Sequence, residues 1–315
     1  MRSYILLRRV QGWGLDILLG VRRRDLLLGC MQGAAPAGFA IDSHVHFYDP
    51  RRPQGVPWPP KDDALLYRPV LPADLKPLAQ PYGVSGVIVI EASPWIEDNQ
   101  WLLDLAAGDP FLLAVIGRLD PAAPEFATHL RRFAANPLFR GTRLGHAGLS
   151  SPHTPSALRQ LASLDLSLDL LGGSSLLADA TRIARQFPQL RIIVDHLPFD
   201  EPLPPELRRQ IRACRNLYCK ISHLPRRRGA EVILDPGFYK QILDPLLDAF
   251  GVARIVFGSN WPVSDRVAPY GAAFEILVPY FRSLGAEAGV RFFRKNALAI
   301  YRPPDRARKD KAFTA

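Results

Sequence analysis

Sulfur is scarce in this chain, with three Cys and two Met among 315 residues. Cys30 falls in the first forty residues, and Cys214 and Cys219 stand five apart, a spacing that matches neither a disulfide framework nor a zinc site. Those two are read as buried thiols. No apolar run reaches the roughly 18 residues that a membrane-crossing helix needs, so no transmembrane segment is expected. Neither a Gly-X-Gly-X-X-Gly turn nor a Walker loop follows the first apolar strand, which argues against an open, doubly wound nucleotide-binding sheet. Acidic residues are the minority charge, 30 against 40 Lys and Arg. Of the formal +10, residues 1–40 carry +4 and residues 302–315 carry +3, leaving only +3 for everything between. The basic excess belongs to the ends, so nucleic-acid binding is not expected.

What remains is ordinary globular material, 48% hydrophobic and 22% charged. It is long enough for one (β/α)8 barrel of roughly 250 residues plus tails. Residues 1–38 read as a leader or extension, 39–304 as a single barrel domain and 305–315 as a basic tail. In the leader, Arg22-Arg-Arg-Asp-Leu-Leu-Leu28 resembles a twin-arginine export signal, and Ala34-Ala-Pro-Ala37 offers small residues for cleavage. That reading places the protein in the periplasm, with the cytoplasm as the alternative. Leu27-Leu-Gly-Cys30 also has the look of a lipoprotein box.

Eight short runs rich in Val, Ile and Leu recur along the body: 39–47, 84–91, 111–119, 139–144, 166–171, 191–197, 217–222 and 254–261. Between them, 99–107, 121–135, 156–163, 175–187, 206–213 and 236–250 carry helical periodicity or strong helix formers. Alternating strand and helix predicts parallel strands, and eight of them close most naturally into a barrel. Two stretches break the rhythm. Residues 48–72 are Pro-rich and hold Trp58 and Tyr67, too long and stiff for an ordinary βα loop, and predict a lid or wall. Pro225-Arg-Arg-Arg-Gly229 reads as a solvated charge run, or as a greeting for an acidic substrate.

Barrel enzymes draw their chemistry from the C-terminal strand ends. Here those ends are polar: His44 and His46 from strand one, Glu91 from two, Arg118 with Asp120 from three, Arg143 from four, His196 from six, Lys220 and Ser222 from seven, Asn260 and Trp261 from eight. The two-residue step from His44 to His46 points both imidazoles to one side of a strand. One such polar group can be a satisfied core residue; seven ends of eight argue for a site. His146 and His223 lie just past strands four and seven and read as loop residues within reach, while His129 and His153 read as solvent-exposed.

Ile41-Asp-Ser-His-Val-His46, Val194-Asp-His-Leu197, Tyr218-Cys-Lys-Ile-Ser222, Val256-Phe-Gly-Ser-Asn-Trp-Pro262 and Arg294-Lys-Asn-Ala-Leu-Ala-Ile-Tyr301 together resemble the amidohydrolase-related, metal-dependent-hydrolase-like barrels, nearest the branch of sugar-acid and pyrone dicarboxylate lactonases. The resemblance runs from about residue 40 to 302. It implies a (β/α)8 TIM barrel, hydrolysis of a cyclic ester, and a site made of the strand-one histidines, the strand-six histidine and a strand-eight carboxylate. At that last position this chain has Asn260, and an amide has no titratable acceptor for general-base work.

Three routes to an activated water stay open: His196 as base with Asn260 orienting the water, a divalent ion on His44, His46 and His196, or Asp265 folding back over the mouth. Zinc suits three imidazoles. Strand five offers no His or Lys for a second metal, and a metal-free site is the alternative. Arg143 matches the family's strand-four arginine and suits a carboxylate or an oxyanion. Arg118, Lys220 and Glu91 read as further substrate contacts, or as an ion network that holds the mouth together. Trp261 reads as a platform for a sugar ring, or as packing under the eighth loop. The expected activity is lactone hydrolysis on a small-molecule substrate. The rivals are non-hydrolytic decarboxylation and a lapsed barrel that binds a sugar acid, and homo-oligomer formation stays open.

Overall fold

All eight apolar runs form barrel strands in the computed structural model, which describes residues 38–197 and 203–305. They are β1 (Ala40–Val45), β2 (Val84–Ile90), β3 (Leu112–Gly117), β4 (Phe139–Gly145), β5 (Ser167–Leu171), β6 (Arg191–Leu197), β7 (Leu217–Ile221) and, after a small hairpin, β10 (Ile255–Phe257). The ladder runs in that order and every pairing within it is parallel. Helices cross over between successive strands, as expected of βαβ units. The leader, the export signal, Cys30 and the basic tail lie outside the described residues. Among the described residues no helix is long and apolar enough to cross a membrane.

Alternation divides the strand residues between two environments. Val87, Val89, Val115, Leu168, Leu170, Ile192 and Val194 pack toward the helices. The opposite parity supplies a separate apolar cluster of Ile41, Ile88, Ile90, Ala114, Ile116, Ile193 and Val256, joined by Ile300 and Tyr301 from the closing helix Asn296–Tyr301. That cluster fills the lower barrel interior. Above it the same parity turns polar with Arg143, Asp169, Asp195 and Lys220, so strand periodicity alone stacks a charged layer on an apolar one.

The barrel closes without a regular ladder between its last and first strands. Val45 and Trp261 form an isolated parallel bridge, His46 N donates to Trp261 O at 2.9 Å and Asn260 N donates to His44 O at 2.9 Å. Asp42 reinforces this seam by accepting from Ser259 N at 2.8 Å and from Tyr270 Oη at 3.0 Å.

The long segment after β1 is a wall. Tyr48 and Val70 exchange backbone hydrogen bonds at its base, at 3.0 and 2.9 Å. Arg52 pins its tip, with Nη1 2.8 Å from Asp98 Oδ1 and the guanidinium 4.6 Å from the Trp101 ring centroid. The Arg226–Arg228 run forms a short strand on which Arg227 and Arg228 are exposed, in keeping with a solvated charge run. It pairs antiparallel with Glu231–Ile233 as β8 and β9, turning at Gly229, whose φ of +59° suits a residue with no side chain. Arg226 is spent on the carbonyls of His223 and Leu224, both at 2.9 Å, and Arg227 on that of Val267.

Candidate active site

The strand-one histidines, His196 and Asn260 meet at the C-terminal mouth. The His44 ring lies 5.0 Å from that of His46 and 4.5 Å from that of His196, centroid to centroid. Three of the residues that build this mouth have left-handed backbones: His196 at φ +60°, His223 at +57° and Asn260 at +64°. Such conformations are costly for residues other than glycine and collect where a side chain must be aimed.

His46 Nδ1 lies 3.1 Å from both Ile90 O and Glu91 O. Two carbonyl partners require the proton on Nδ1, which leaves Nε2 as the bare nitrogen. Burial, reinforced by the Arg143 charge, lowers the His46 pKa to about 3. Burial likewise lowers His196 to about 4, against the pull of Asp195, and holds His44 well below the ordinary histidine range. All three imidazoles are neutral near pH 7 and able to accept a proton or ligate a metal. Ser222 Oγ fixes His196, standing 3.0 Å from its Nδ1 and accepting its backbone N–H at 3.2 Å. Asn260 Nδ2 donates to His223 Nδ1 at 3.1 Å.

Below the imidazoles lies a charge cluster that the strand-end reading missed. Lys220 is fully buried, with Nζ 2.6 Å from Asp169 Oδ2 and 2.9 Å from Asp195 Oδ1. Tyr301 Oη donates to Asp169 Oδ2 at 2.8 Å. Burial acts to raise the Asp195 pKa, but Lys220 and then His44 pull it well below the ordinary carboxylate range. Burial dominates at Asp169 and pushes it up to about 6. The signal was available, since Asp169, Asp195 and Lys220 are charged residues at inward parity in otherwise apolar strands.

His44, Asp195 and His196 each present one donor atom, all within 4.8 Å of one another. Both ring nitrogens of His44 and Oδ2 of Asp195 are buried without a hydrogen-bond partner among the described residues, while Asp195 Oδ1 faces Lys220 Nζ at 2.9 Å and His44 Nδ1 at 3.6 Å. Orphaned buried donors of these types fit one divalent ion. The expected trio differs in one member: Asp195 joins the cluster and His46, turned toward the β2 carbonyls, does not.

The other expected contacts divide. Arg143 is at the mouth, its Nε donating to Glu91 Oε1 and its Nη2 to Glu91 O, both at 2.9 Å, with Nη1 3.9 Å from Asp195 Oδ2. Glu91 is buried and also faces Arg118 Nη1 at 3.7 Å, so it organises guanidinium groups. Two expectations are corrected. Lys220 is sealed between Asp169 and Asp195 and cannot touch substrate, and Trp261 has no exposed surface on which a sugar could stack. Trp261 packs edge-on against Phe47, with centroids 6.2 Å apart. Trp58 of the wall stands 6.1 Å from the His46 ring. A crevice of only about 10 Å³, room for about one water, lies beside it, lined by Glu91, Ser93, Asn99 and Trp101 among others. Asp265 faces Arg68 at 3.9 Å, away from the imidazoles, and burial raises its pKa. His146 and His153 are exposed, and His129 is half-buried against Phe133 rather than free in solvent.

A sequence model of the amidohydrolase family matches residues 41–302. An L-fucono-1,5-lactonase from Burkholderia ambifaria is 30% identical over 285 residues, covering 84% of this chain and 96% of the relative. A second L-fucono-1,5-lactonase, from Burkholderia multivorans, is 29% identical, covering 73% and 84%. Among solved structures, an amidohydrolase from Burkholderia multivorans with bound zinc superposes with a TM-score of 0.72 at 25% identity, covering 84% of this chain and 99% of that one.

Proposed function

Because the chain belongs to the amidohydrolase family, we propose that it is a lactonase, adding water to the carbonyl of a cyclic ester and opening the ring to a hydroxy acid. The observation that carries this reading is the meeting of three neutral imidazoles with Asn260 and the Arg143 guanidinium at one barrel mouth. The activity named for the Burkholderia relatives supports a sugar-acid lactone as substrate.

Arg143 polarises the carbonyl and stabilises the oxyanion through the guanidinium edge not taken by Glu91. Asn260 holds the water through its side-chain oxygen. His44, Asp195 and His196 would hold a divalent ion, zinc by donor type, whose Lewis acidity would acidify that water and polarise the carbonyl. A second reading without metal makes His196 the base, favoured by the Ser222 hydroxyl that fixes its Nδ1. We also read residues 22–37 as an export signal; fractionation that leaves the protein in the cytoplasm with Met1 retained would end that reading.

Proton release from a panel of aldonolactones and pyrone carboxylates, before and after chelation, tests the proposal. Turnover that chelation abolishes and zinc restores makes the histidines ligands. Turnover that survives chelation makes His196 the base. Folded protein inert on every ring would overturn lactone hydrolysis in favour of decarboxylation or simple binding.

A further inference from the structure

His223 holds a backbone conformation that non-glycine residues rarely adopt, with φ at +57°. Its ring is half-buried at the mouth, 6.4 Å from that of His196 by centroid and nearly perpendicular to it. Its carbonyl is anchored by Arg226 Nη1 at 2.9 Å. A left-handed backbone beside reacting groups is a place where a side chain is aimed. Among the described residues the His223 side chain has one direct polar partner, the amide of Asn260.

A carboxamide has almost the same shape after a half-turn about its last bond, yet the half-turn exchanges a donor for an acceptor. Packing therefore cannot decide which edge of Asn260 faces the reacting water; a hydrogen-bond partner can. The Asn260 backbone is already fixed, its N–H donating to His44 O and its carbonyl accepting from Ser264 N, both at 2.9 Å. Only the amide rotation is left to set, with His223 on one edge and a hydrogen-bonding contact to His46 on the other. We propose that His223 is a positioning residue whose Nδ1, by accepting from Asn260 Nδ2, turns the Asn260 side-chain oxygen away from strand seven and toward the barrel axis. Nδ1 as acceptor places the His223 proton on Nε2. The water then meets an acceptor in every molecule rather than in a mixture of acceptor and donor. This rests on the reading that Asn260 orients the hydrolytic water.

The same backbone strain supplies clean variants. His223→Gly removes the ring and suits the left-handed backbone. His223→Asn tolerates that backbone, and its side-chain oxygen falls where imidazole Nδ1 stood. With a lactone substrate, His223→Gly is expected to lower kcat about tenfold or more while KM stays within about twofold. Its Tm should be unchanged or higher, and His223→Asn should recover most of the lost kcat. Wild-type kcat in the Gly variant, a joint fall of kcat and Tm, or an Asn variant as slow as the Gly variant would overturn the proposal. NMR of protein labelled with 15N at asparagine reads the pairing without any substrate. A downfield-shifted Asn260 side-chain proton should be present in the wild type, lost in His223→Gly and restored in His223→Asn. No change on removing the ring would overturn the pairing. A shifted proton in a protein inert toward all lactones would instead sink the lactonase reading and leave the pairing standing.

Discussion

Arg143 joins the two halves of the mouth, with two of its nitrogens committed to Glu91 and the third turned toward Asp195 from 3.9 Å. Arg143→Met should cost stability because buried Glu91 keeps only Arg118 at 3.7 Å; breaking one partner of a buried pair costs about 3 kcal/mol. It should also lower kcat/KM by about 10²-fold, as loss of an oxyanion donor does. Chemical denaturation and steady-state kinetics on the same variant read the two effects separately. Arg143→Lys should fare little better in catalysis, since an ammonium cannot span the Glu91 carboxylate and carbonyl as the fork does. Much of the site at this scale was legible. His44, His46, His196, Arg143 and Asn260 sit where strand ends put them. Asp169 and Asp195 fall outside the strand-end set because they sit within their strands, although an acid at inward parity in an apolar strand must find a partner or a metal. A strand-end position says nothing of depth, and Lys220 and Trp261 are both fully buried rather than open to substrate.

The eight strands were readable because each is a β-branched or aliphatic run closed by turn residues, and a side chain of either parity is buried in a barrel. The strand ends were less readable. Residues 254–261 look like one run, yet β10 stops at Phe257 and the chain leaves the ladder through Gly258 and Ser259 to reach left-handed Asn260. The β8–β9 hairpin escaped because three successive arginines look like a solvated run, which Arg227 and Arg228 are by exposure, while Arg226 turns inward onto the carbonyls of His223 and Leu224. The wall of residues 48–72 was legible from its prolines, but its fastening was not. Arg52 is one fastening, bonding Asp98 and covering Trp101, and Arg266 on Asp63 is another. Arg52→Ala should raise KM severalfold with a smaller effect on kcat, and lower stability by about 1–2 kcal/mol through lost ion pairing and cation–π contact. Proteolysis should then begin within residues 48–72; wild-type cleavage rates and KM would show that the wall stands without it.

Across the whole molecule, neutral buried histidines set the acid limit. The folded pKa values of His44, His46 and His196 are depressed, the latter two to about 3 and about 4. The unfolded chain therefore binds protons below about pH 6.5 that the folded chain does not, and stability falls as pH drops from 6.5 toward 4. Asp169, raised to about 6, opposes this, since its folded form takes up a proton as pH falls through 6. Three histidines outweigh one carboxylate, and a loss of about 2–4 kcal/mol is expected between pH 7 and pH 5. Urea unfolding at the two pH values checks the sign; equal stability would mean that these imidazoles are not buried and neutral.

The seam that closes the barrel also dictates when the enzyme exists during its own synthesis. Asp42 and Ser259 are 217 positions apart, and the hydrogen bonds that join them and their neighbours run through the backbones of His44, His46 and Asn260. A ribosome that has made seven of the eight barrel strands has made no working fraction of the site, because the first imidazoles still wait for the residues that will face them. Turnover is thus an audit of the chain from residue 42 to residue 260, and a nascent protein that stops short of that seam is silent rather than slow.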